Sequence, residues 1–292
     1  MSKLKANLLL LVAAAMWGFG NVWQKTVLDH LDPLSAVGIR CLIGGLLVLP
    51  LLVRESKMPK AWGFYASLAR VALLFSVAIT LQQIAYGGTS VTNASFLITT
   101  ATVMTPPMAW LLIGERLTLA VGLAGALTLF GALLLAGSIS GFGYGDLTVL
   151  LAAACYALWT VELGRHMQAY ARPLTAMAAQ FLGTAAFTLP LGLIEGNLSS
   201  GTALQAWQEL ILLGLFSTAA PYGIQTIVQR FTTASQAAVI ISADSIFGGI
   251  GGAVFLGEQI TLGAALGATC IFAAILYLTW SATSAQRSVQ AA

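Results

Sequence analysis

The chain has 292 residues, of which 58% are hydrophobic and 8% are charged, and its mean hydropathy is +0.88. A soluble domain carries about 25% charged residues, so this composition excludes a water-soluble globular protein and predicts an all-α integral membrane protein. The net charge of +3 gives no evidence of nucleic-acid binding, because the basic residues that produce it follow the pattern of membrane loops described below.

Ten transmembrane helices are predicted from long apolar stretches that contain no charged residue. The stretch 71–114 is long enough for two helices, since about 20 residues cross a bilayer. Its turn is predicted at the Gly87-Gly88-Thr89-Ser90 segment. The predicted spans are residues 6–28, 34–53, 69–87, 92–113, 119–137, 147–167, 173–194, 208–229, 235–256 and 262–282.

The basic residues indicate which side of a membrane each loop occupies, because cytoplasmic loops collect Lys and Arg. With both termini in the cytoplasm, eleven of the 13 basic residues lie inside: Lys3, Lys5, Arg54, Lys57, Lys60, Arg70, Arg116, Arg165, Arg172, Arg230 and Arg287. Lys25 and Arg40 fall near the outer ends of their spans, where long side chains snorkel to the surface. The outer segments hold Asp29, Asp32, Asp146, Glu195, Glu209 and Glu258.

The first apolar segment has an alternative interpretation, a cleaved signal peptide, because Lys3 and Lys5 precede it and Ala13-Ala14-Ala15 resembles a cleavage site. Removal of this segment would leave the sixth span without a counterpart, so we favour a retained helix. Three cysteines, Cys41, Cys155 and Cys270, lie within predicted spans and are expected to be small core residues. No disulfide, metal site or cofactor is predicted.

Two copies of one five-helix unit lie in the chain. Residues 112–118 (LIGERLT) match residues 255–261 (FLGEQIT), and the helix-starting Pro33 and helix-ending Pro50 match Pro173 and Pro190. Because five is odd, the two copies must cross the membrane in opposite directions. The predicted organisation is a first repeat over 1–139, an inverted second repeat over 140–285 and a cytoplasmic tail over 286–292.

Helix-breaking residues occupy equivalent positions in the two halves. Pro106 and Pro107 in the fourth span align with Gly248 and Gly249 in the ninth. Proline removes a backbone donor and glycine weakens a helix, so both pairs are candidate hinges beside a site at the membrane midplane. The alternative is a simple kink or a packing point, since the GxxxG patterns at 248–252 and 263–267 are typical of close contacts between helices or subunits.

Polar residues within the spans also occur in pairs related by the repeat, and each needs a partner, water or a ligand in a membrane. Aromatic faces flanked by amides suit a flat, partly apolar molecule with a few hydrogen-bonding groups. Alternatively, such residues hold neighbouring helices together, and we assign Trp23, Trp110, Trp207 and Trp280 to an interfacial aromatic belt. The candidate substrate-binding residues are Trp17, Asn21, Gln82, Gln83, Tyr86, Thr99, Tyr156, Trp159, Thr160, Tyr222, Gln225, Ser242, Asp244 and Ser245.

Asp244 is an acid in the middle of an apolar span, where a charge is costly. It is expected to face the interior, as a partner for a substrate ammonium group or as a proton-coupling carboxylate. The alternatives are a neutral acid bonded to Ser242 or to backbone, and a carboxylate paired with Lys25 or Arg40. Glu162, by contrast, is expected to pair near the cytoplasmic side with Arg165 or His166.

An enzyme was considered because residues 143–146 (GYGD) match the Gly-x-Gly-Asp motif of intramembrane aspartyl proteases. That chemistry needs a second, facing aspartate, and Asp146 lies where the sixth helix starts, so a helix cap explains it. We therefore predict no catalytic residue and no enzyme. A non-transporting scaffold or receptor is also disfavoured, since it would not need paired interruptions or a polar midplane.

The ten spans, the inverted repeats and the Gly-Glu-x-[Leu/Ile]-Thr motif after the fourth helix of each half resemble the EamA-type drug/metabolite transporters. The tryptophan-rich first helix is most similar to the aromatic amino acid exporter branch. The resemblance implies an exporter of aromatic or other amino acids, or of planar cationic drugs, and other metabolite classes are the alternative. We expect alternating access around a cavity between spans one, three, four, six, eight and nine, with or without proton coupling, in a monomer or homodimer.

Overall fold

The computed structural model describes residues 1–55, 59, 61–136, 143–195, 199–257 and 259–291, and these residues form helices and connecting loops with no strand. Lys57, Lys60 and Glu258 lie outside the described residues.

We number the ten spans in chain order. Their helices are Lys3–Thr26 with Val27–Asp29 (span 1), Pro33–Val48 with Leu49–Glu55 (span 2), Trp62–Ala85 (span 3), Val91–Thr99 with Ala101–Ile113 (span 4), Leu119–Ala136 (span 5), Tyr144–Tyr170 (span 6), Pro173–Glu195 (span 7), Trp207–Gly214 with Leu215–Ala219 and Ala220–Val228 (span 8), Ala234–Ile241 with Asp244–Leu256 (span 9) and Leu262–Ala291 (span 10).

Every predicted span is confirmed as a helix or as two or three consecutive helical segments. Among the described residues, nine spans are long and apolar enough to cross a membrane, and span 5 is a shorter apolar helix. A further helix, Ser200–Gln205, precedes span 8. Span 10 continues to Ala291, so most of the predicted tail extends this helix.

The prolines at the predicted ends of spans 2 and 7 do not all mark helix ends in the structure. Pro33 occupies the first turn of span 2, where the Asp32 side chain accepts a hydrogen bond from Ser35 N at 2.9 Å. The α-helix of span 2 gives way to a 3₁₀ segment at Leu49–Glu55, beside the predicted stop at Pro50. The predicted stop at Pro190 is wrong, because span 7 continues through it to Glu195. Membrane helices accept an internal proline, since neighbouring groups can satisfy the carbonyl that it leaves open.

Contacts between the spans repeat across the two halves. Span 2 packs against span 7 and span 5 against span 10, so equivalent helices of the two repeats meet in pairs. Span 3 packs against span 6, and in the corresponding arrangement span 8 packs against span 1. Such pairing is typical of inverted repeats related by a two-fold axis in the membrane plane, and it leaves spans 5 and 10 at the periphery.

Glycines bring the two halves close together. A Cβ atom at Gly18 would lie 2.5 Å from the Asp244 carbonyl oxygen, and one at Gly131 would lie 2.6 Å from the Gly267 carbonyl oxygen. Spans 1 and 9, and spans 5 and 10, therefore touch backbone to backbone. The glycines of span 10 act in this contact within the chain. Gly248 is likewise a packing point, because a Cβ there would lie 3.0 Å from Ser95 Oγ.

Polar contacts group the loop ends onto two faces. On the face of the amino terminus, Glu55 accepts hydrogen bonds from Leu174 N at 3.0 Å and from Thr175 N at 2.9 Å. Glu162 pairs there with Arg165, as predicted, and with Arg70, at 3.1 Å each. On the opposite face, Asp146 caps the first turn of span 6. It accepts hydrogen bonds from Gly143 N at 2.9 Å and from Thr89 Oγ1 at 2.6 Å.

Candidate functional site

A cavity with about 620 Å³ of empty space lies between spans 1, 3, 4, 6, 8 and 9, the six spans predicted to enclose it. Eleven of the fourteen candidate residues line it: Trp17, Asn21, Gln82, Thr99, Tyr156, Trp159, Thr160, Tyr222, Gln225, Ser242 and Asp244. Sequence reasoning missed six lining residues, all small, aliphatic or threonine side chains of spans 4 and 9: Ile98, Ala101, Thr102, Thr105, Ala238 and Ile241. Residues three or four positions from the candidates Thr99 and Ser242 lie on the same helix faces, so this spacing would have identified several of them.

Three candidate residues lie beside the cavity instead. Gln83 is fully buried and donates to the Gln24 carbonyl oxygen at 2.8 Å. Tyr86 is fully buried in the core at the end of span 3. Ser245 donates to the Ser242 carbonyl oxygen at 2.7 Å. These side chains support the wall from behind.

Tyr222 is the centre of an aromatic cluster that forms one wall of the cavity. Its ring meets the edge of Trp17 at 4.8 Å, stacks on Tyr156 at 6.4 Å and meets Trp159 at 5.6 Å. Phe75 packs behind it at 4.8 Å. The hydroxyl groups of Tyr156 and Tyr222 lie 2.7 Å apart, and Tyr156 donates to Gln82 Oε1 at 2.8 Å. The wall is therefore a rigid apolar surface with polar edges.

Arg40 lies in a polar layer next to the cavity. It was predicted to snorkel to the surface, and that prediction is wrong, because the residue is only 1% exposed. Its guanidinium group donates to Thr218 Oγ1 at 2.8 Å, to Gln24 Oε1 at 2.9 Å and to Gln83 Oε1 at 3.4 Å. Neutral oxygen atoms replace the water that this cation would otherwise bind, which is why it stays inside.

A proline in span 8 provides another acceptor for Arg40. In an α-helix the Ser217 carbonyl oxygen would accept from the N–H of residue 221, but Pro221 has none. The segment Leu215–Ala219 widens into a π-helix, and Arg40 Nη2 donates to the Ser217 carbonyl oxygen at 3.2 Å. The polar layer therefore joins spans 1, 2, 3 and 8.

The polar layer closes one end of the cavity. On span 1, Gln24 lies one turn beyond Asn21, farther from the amino-terminal face, and Asn21 itself donates to Ser95 Oγ at 3.2 Å. Lys25 follows, and its Nζ atom donates to the Tyr86 and Thr89 carbonyl oxygens at 2.6 and 3.2 Å. The side of the cavity away from the amino-terminal face is thus closed by successive layers of hydrogen bonds.

The helix interruptions lie at the cavity, and not at the residues predicted to cause them. Pro106 and Pro107 lie inside the helix Ala101–Ile113, and Gly248 and Gly249 lie inside Asp244–Leu256. The breaks fall earlier, at Thr100 in span 4 and at 242–243 in span 9.

Hydroxyl groups explain these positions. Thr100 Oγ1 donates to the Leu97 carbonyl oxygen at 2.6 Å, and Ser242 Oγ donates to the Val239 carbonyl oxygen at 2.5 Å, each three residues back. Such bonds compete with the backbone ladder and bend helices. Since residue 243 lies 143 positions after Thr100, as Gly257 does after Gly114, the two repeats break at equivalent places.

Asp244 begins the second helix of span 9, and its side chain lines the cavity. Ser242 donates to backbone and not to this carboxyl group. Among the described residues, neither Lys25 nor Arg40 forms an ion pair with Asp244, and its Oδ1 atom has no hydrogen-bond partner. The predicted ion pairs are thus not present among these residues.

A comparison with known protein families identifies the family of this chain. The model of the EamA-like transporter family matches residues 4–137 and again residues 143–280, which together make up most of the chain. The chain belongs to the EamA-like transporter family. It is a multi-pass membrane protein and a transporter by membership.

The relatives of this EamA-like transporter are also named as transporters. A protein of Archaeoglobus fulgidus named "Uncharacterized transporter" is 24% identical over 280 residues, covering 95% of this chain and 86% of the relative. One of Clostridium kluyveri with the same name is 23% identical over 279 residues, covering 90% and 89%. A solved structure titled "Crystal structure of protein" has a TM-score of 0.78 at 17% identity, covering 96% of this chain and 98% of its own, and supports the fold.

The Gly-Glu motif of this EamA-like transporter has a structural role at its first copy. Gly114 ends span 4 with φ +67°, and Gly257 ends span 9 with φ +70°, a conformation that favours glycine. Glu115 accepts from Ala234 N at 3.1 Å and from Ser235 N at 3.2 Å, so it caps the start of span 9. A carboxylate at a helix amino terminus is favourable because it meets open N–H groups and the positive end of the helix dipole.

Proposed function

We propose that this protein exports small metabolites, foremost aromatic or other amino acids and secondarily planar cationic drugs, across a bacterial inner membrane. The observation that carries this proposal is the cavity, because it combines the Tyr222 aromatic wall with two symmetry-related helix breaks. A flat ligand of amino-acid size suits a site with an aromatic wall and few polar groups. We propose no catalytic role for any residue of the cavity.

Alternating access is the mechanism that we propose. The polar layer around Arg40 closes the cavity on the side away from the amino-terminal face, so this structure supports an inward-facing or occluded state. Export would require that layer to separate while the opposite end closes. The breaks at Thr100 and Ser242 leave short rigid helices on either side, which can tilt with little loss of backbone hydrogen bonds.

The predicted hinge at the prolines and glycines has its own test. If Pro106, Pro107, Gly248 and Gly249 govern bending, alanine at all four positions slows transport while leaving the protein folded. Unchanged rates in that variant would assign the bending to the hydroxyl-stabilised breaks alone.

The orientation and the assembly are also proposals. The excess of Lys and Arg on the amino-terminal face supports cytoplasmic termini. One chain contains both repeats and all six cavity spans, which supports a complete pathway within a monomer. The glycines of span 10 are occupied by span 5 of the same chain, so they offer no support for a dimer.

Efflux from liposomes tests the function. The purified full-length protein is reconstituted into vesicles preloaded with labelled tryptophan, phenylalanine, alanine or a planar organic cation, with and without a pH gradient. Saturable release of the aromatic amino acids supports the proposal, and dependence on the gradient identifies proton coupling, whereas gradient-independent release identifies facilitated diffusion. Release of the cation alone would change the substrate class, and no release of any cargo would refute the proposal.

A further inference from the structure

Among the described residues, several buried polar atoms have no hydrogen-bond partner, and three of these atoms belong to residues that line the cavity. They are Trp17 Nε1, Gln225 Nε2 and Asp244 Oδ1. Trp17 is 8% exposed and Gln225 is 1% exposed, so these groups are shielded from bulk water. Buried polar groups in native proteins are nearly always paired, and an unpaired one costs free energy. Three orphan atoms around one cavity therefore point to a ligand that pairs with them.

The other polar groups of the wall do not share this feature. Asn21 is bonded to Ser95, and Tyr156 is bonded to both Gln82 and Tyr222. Trp159, the second indole of the wall, donates to Gln180 Oε1 at 3.2 Å. The orphan atoms are thus a specific subset, comprising two N–H donors and one carboxyl oxygen.

The residues that carry the orphan atoms lie around one place. Span 1 touches span 9 where Gly18 meets the Asp244 backbone, and the neighbouring Trp17 ring packs on Tyr222. Gln225 follows Tyr222 by about one helical turn. A single small molecule resting against the aromatic wall is therefore within reach of all three spans.

Among the described residues that line the cavity, Asp244 carries the one carboxyl group. Lys, Arg and His are absent from the residues that line the cavity. Every contact that the structure gives Arg40 is to a neutral oxygen of the polar layer. When ionised, a carboxylate in the cavity wall favours a cation beside it and disfavours a second anion.

We infer that the ligand binds with a protonated amine at Asp244 and a hydrogen-bond acceptor, a carboxylate or carbonyl oxygen, at Trp17 and Gln225, its flat body lying against the aromatic wall. This inference rests on the proposed function and specifies the polar groups of its substrate. The amine is the essential group, because it neutralises the Asp244 charge. An aromatic acid without an amine places its anion near Asp244 with nothing to offset the repulsion.

Equilibrium binding of three related ligands tests the inference on the purified full-length protein. Phenylalanine has both groups, phenethylamine has the amine alone and 3-phenylpropionate has the acid alone. The wild-type protein should bind 3-phenylpropionate at least about tenfold more weakly than phenylalanine, because a charge-assisted hydrogen bond is lost and an anion is repelled. Equal affinity for these two ligands, or no binding of any of them, would overturn the inference without any variant.

Two variants assign the ends of the ligand. Asp244→Asn should weaken phenylalanine and phenethylamine by about tenfold or more and leave 3-phenylpropionate unchanged or tighter. Trp17→Phe should weaken phenylalanine and 3-phenylpropionate by a few-fold and spare phenethylamine, since an N–H to an acceptor is worth about 1 kcal/mol. Trp159→Phe, whose N–H is bonded to Gln180, should affect all three ligands alike.

Controls separate a folding defect and a failure of the proposed function from a failure of the inference. Asp29→Asn, at an exposed acid, should change no affinity. Each variant must elute as one gel-filtration peak like that of the wild type. If Asp244→Asn weakens all three ligands equally, the assignment is wrong even where phenylalanine efflux is intact. If wild-type phenylalanine binding and efflux are both absent, the proposed function fails as well.

Discussion

At the scale of single residues, Arg40 shows how a charge is kept inside a membrane protein. Its guanidinium group is planar with five N–H donors, and its oxygen partners lie on spans 1, 3 and 8. Each partner is neutral, so the group gains hydrogen bonds without attracting a counter-ion into the core. A residue of this kind fixes the relative positions of several helices at once.

Arg40→Met should destabilise the protein strongly. The substitution keeps most of the length of the side chain but leaves Gln24, Gln83, Thr218 and the Ser217 carbonyl oxygen without their donor. Hydrogen bonds to charged groups contribute about 1.5–3 kcal/mol each, so we expect a loss of about 3 kcal/mol after partial rearrangement. Thermal unfolding in detergent measures it, with the exposed Arg54→Met as a control that leaves the melting temperature unchanged. An equal melting temperature in Arg40→Met would mean that the polar layer contributes no stability.

At the scale of helices, spans 4 and 9 share one design. Each breaks at the cavity, where a hydroxyl group takes a carbonyl oxygen three residues back, and each ends at a glycine in the left-handed conformation. Thr99 and Ser242 lie at or next to these breaks, and both line the cavity. The break itself is therefore part of the candidate site.

Loss of both hydroxyl groups should slow transport. Thr100→Ala with Ser242→Ala returns the Leu97 and Val239 carbonyl oxygens to the helix ladder and stiffens both breaks, so we expect turnover to fall roughly three- to tenfold with stability retained. The liposome efflux assay measures it. Thr269→Ala removes a similar back-bond on the peripheral span 10 and should have no effect. Normal turnover in the double variant would exclude these breaks as hinges.

Glu115→Gln should loosen the start of span 9. The amide has no charge to place at the helix amino terminus, and only its one oxygen accepts hydrogen bonds from Ala234 N and Ser235 N. Caps and helix-dipole interactions are each worth about 1 kcal/mol, so a loss of about 1–2 kcal/mol is expected in thermal unfolding. Asp29→Asn serves as the control. Glu115 would be shown to have another role if the variant kept full stability and lost transport.

Apolar periodicity and turn residues predicted the helices well, because membrane spans are determined by local sequence. The position of the breaks was not predicted, since Pro106 and Gly248 are conspicuous in sequence whereas the bonds made by Thr100 and Ser242 depend on rotamers. Arg40 was misplaced for a related reason. Position in a span does not reveal whether a long side chain extends outward or finds acceptors on distant helices, such as the carbonyl oxygen that Pro221 leaves open.

At the scale of the whole molecule, the described ends of successive spans lie alternately on two faces. The carboxylates of Glu55 and Glu115 and the Glu162 ion pairs lie on the amino-terminal face, and the contact between Thr89 and Asp146 lies on the opposite face. These contacts agree with one alternating path of ten spans.

Cysteine labelling checks the orientation of this path. With Cys41, Cys155 and Cys270 replaced by alanine, Gly201→Cys should react with a membrane-impermeant maleimide added to intact cells, because the loop before span 8 faces outward in the proposed orientation. Arg230→Cys, in the loop after span 8, should react only after the cells are permeabilised. Both positions are exposed in the structure. The reverse pattern would place the termini outside.

The capping carboxylates of Glu55 and Glu115 connect the two repeats. Glu55 and Glu115 belong to the first repeat, yet the helix ends that they hold belong to spans 7 and 9 of the second. The second half therefore depends on the first for the caps of two of its helices. Expressed as two separate polypeptides, the halves should be unstable singly and should recover their fold only when produced together, as an antiparallel pair.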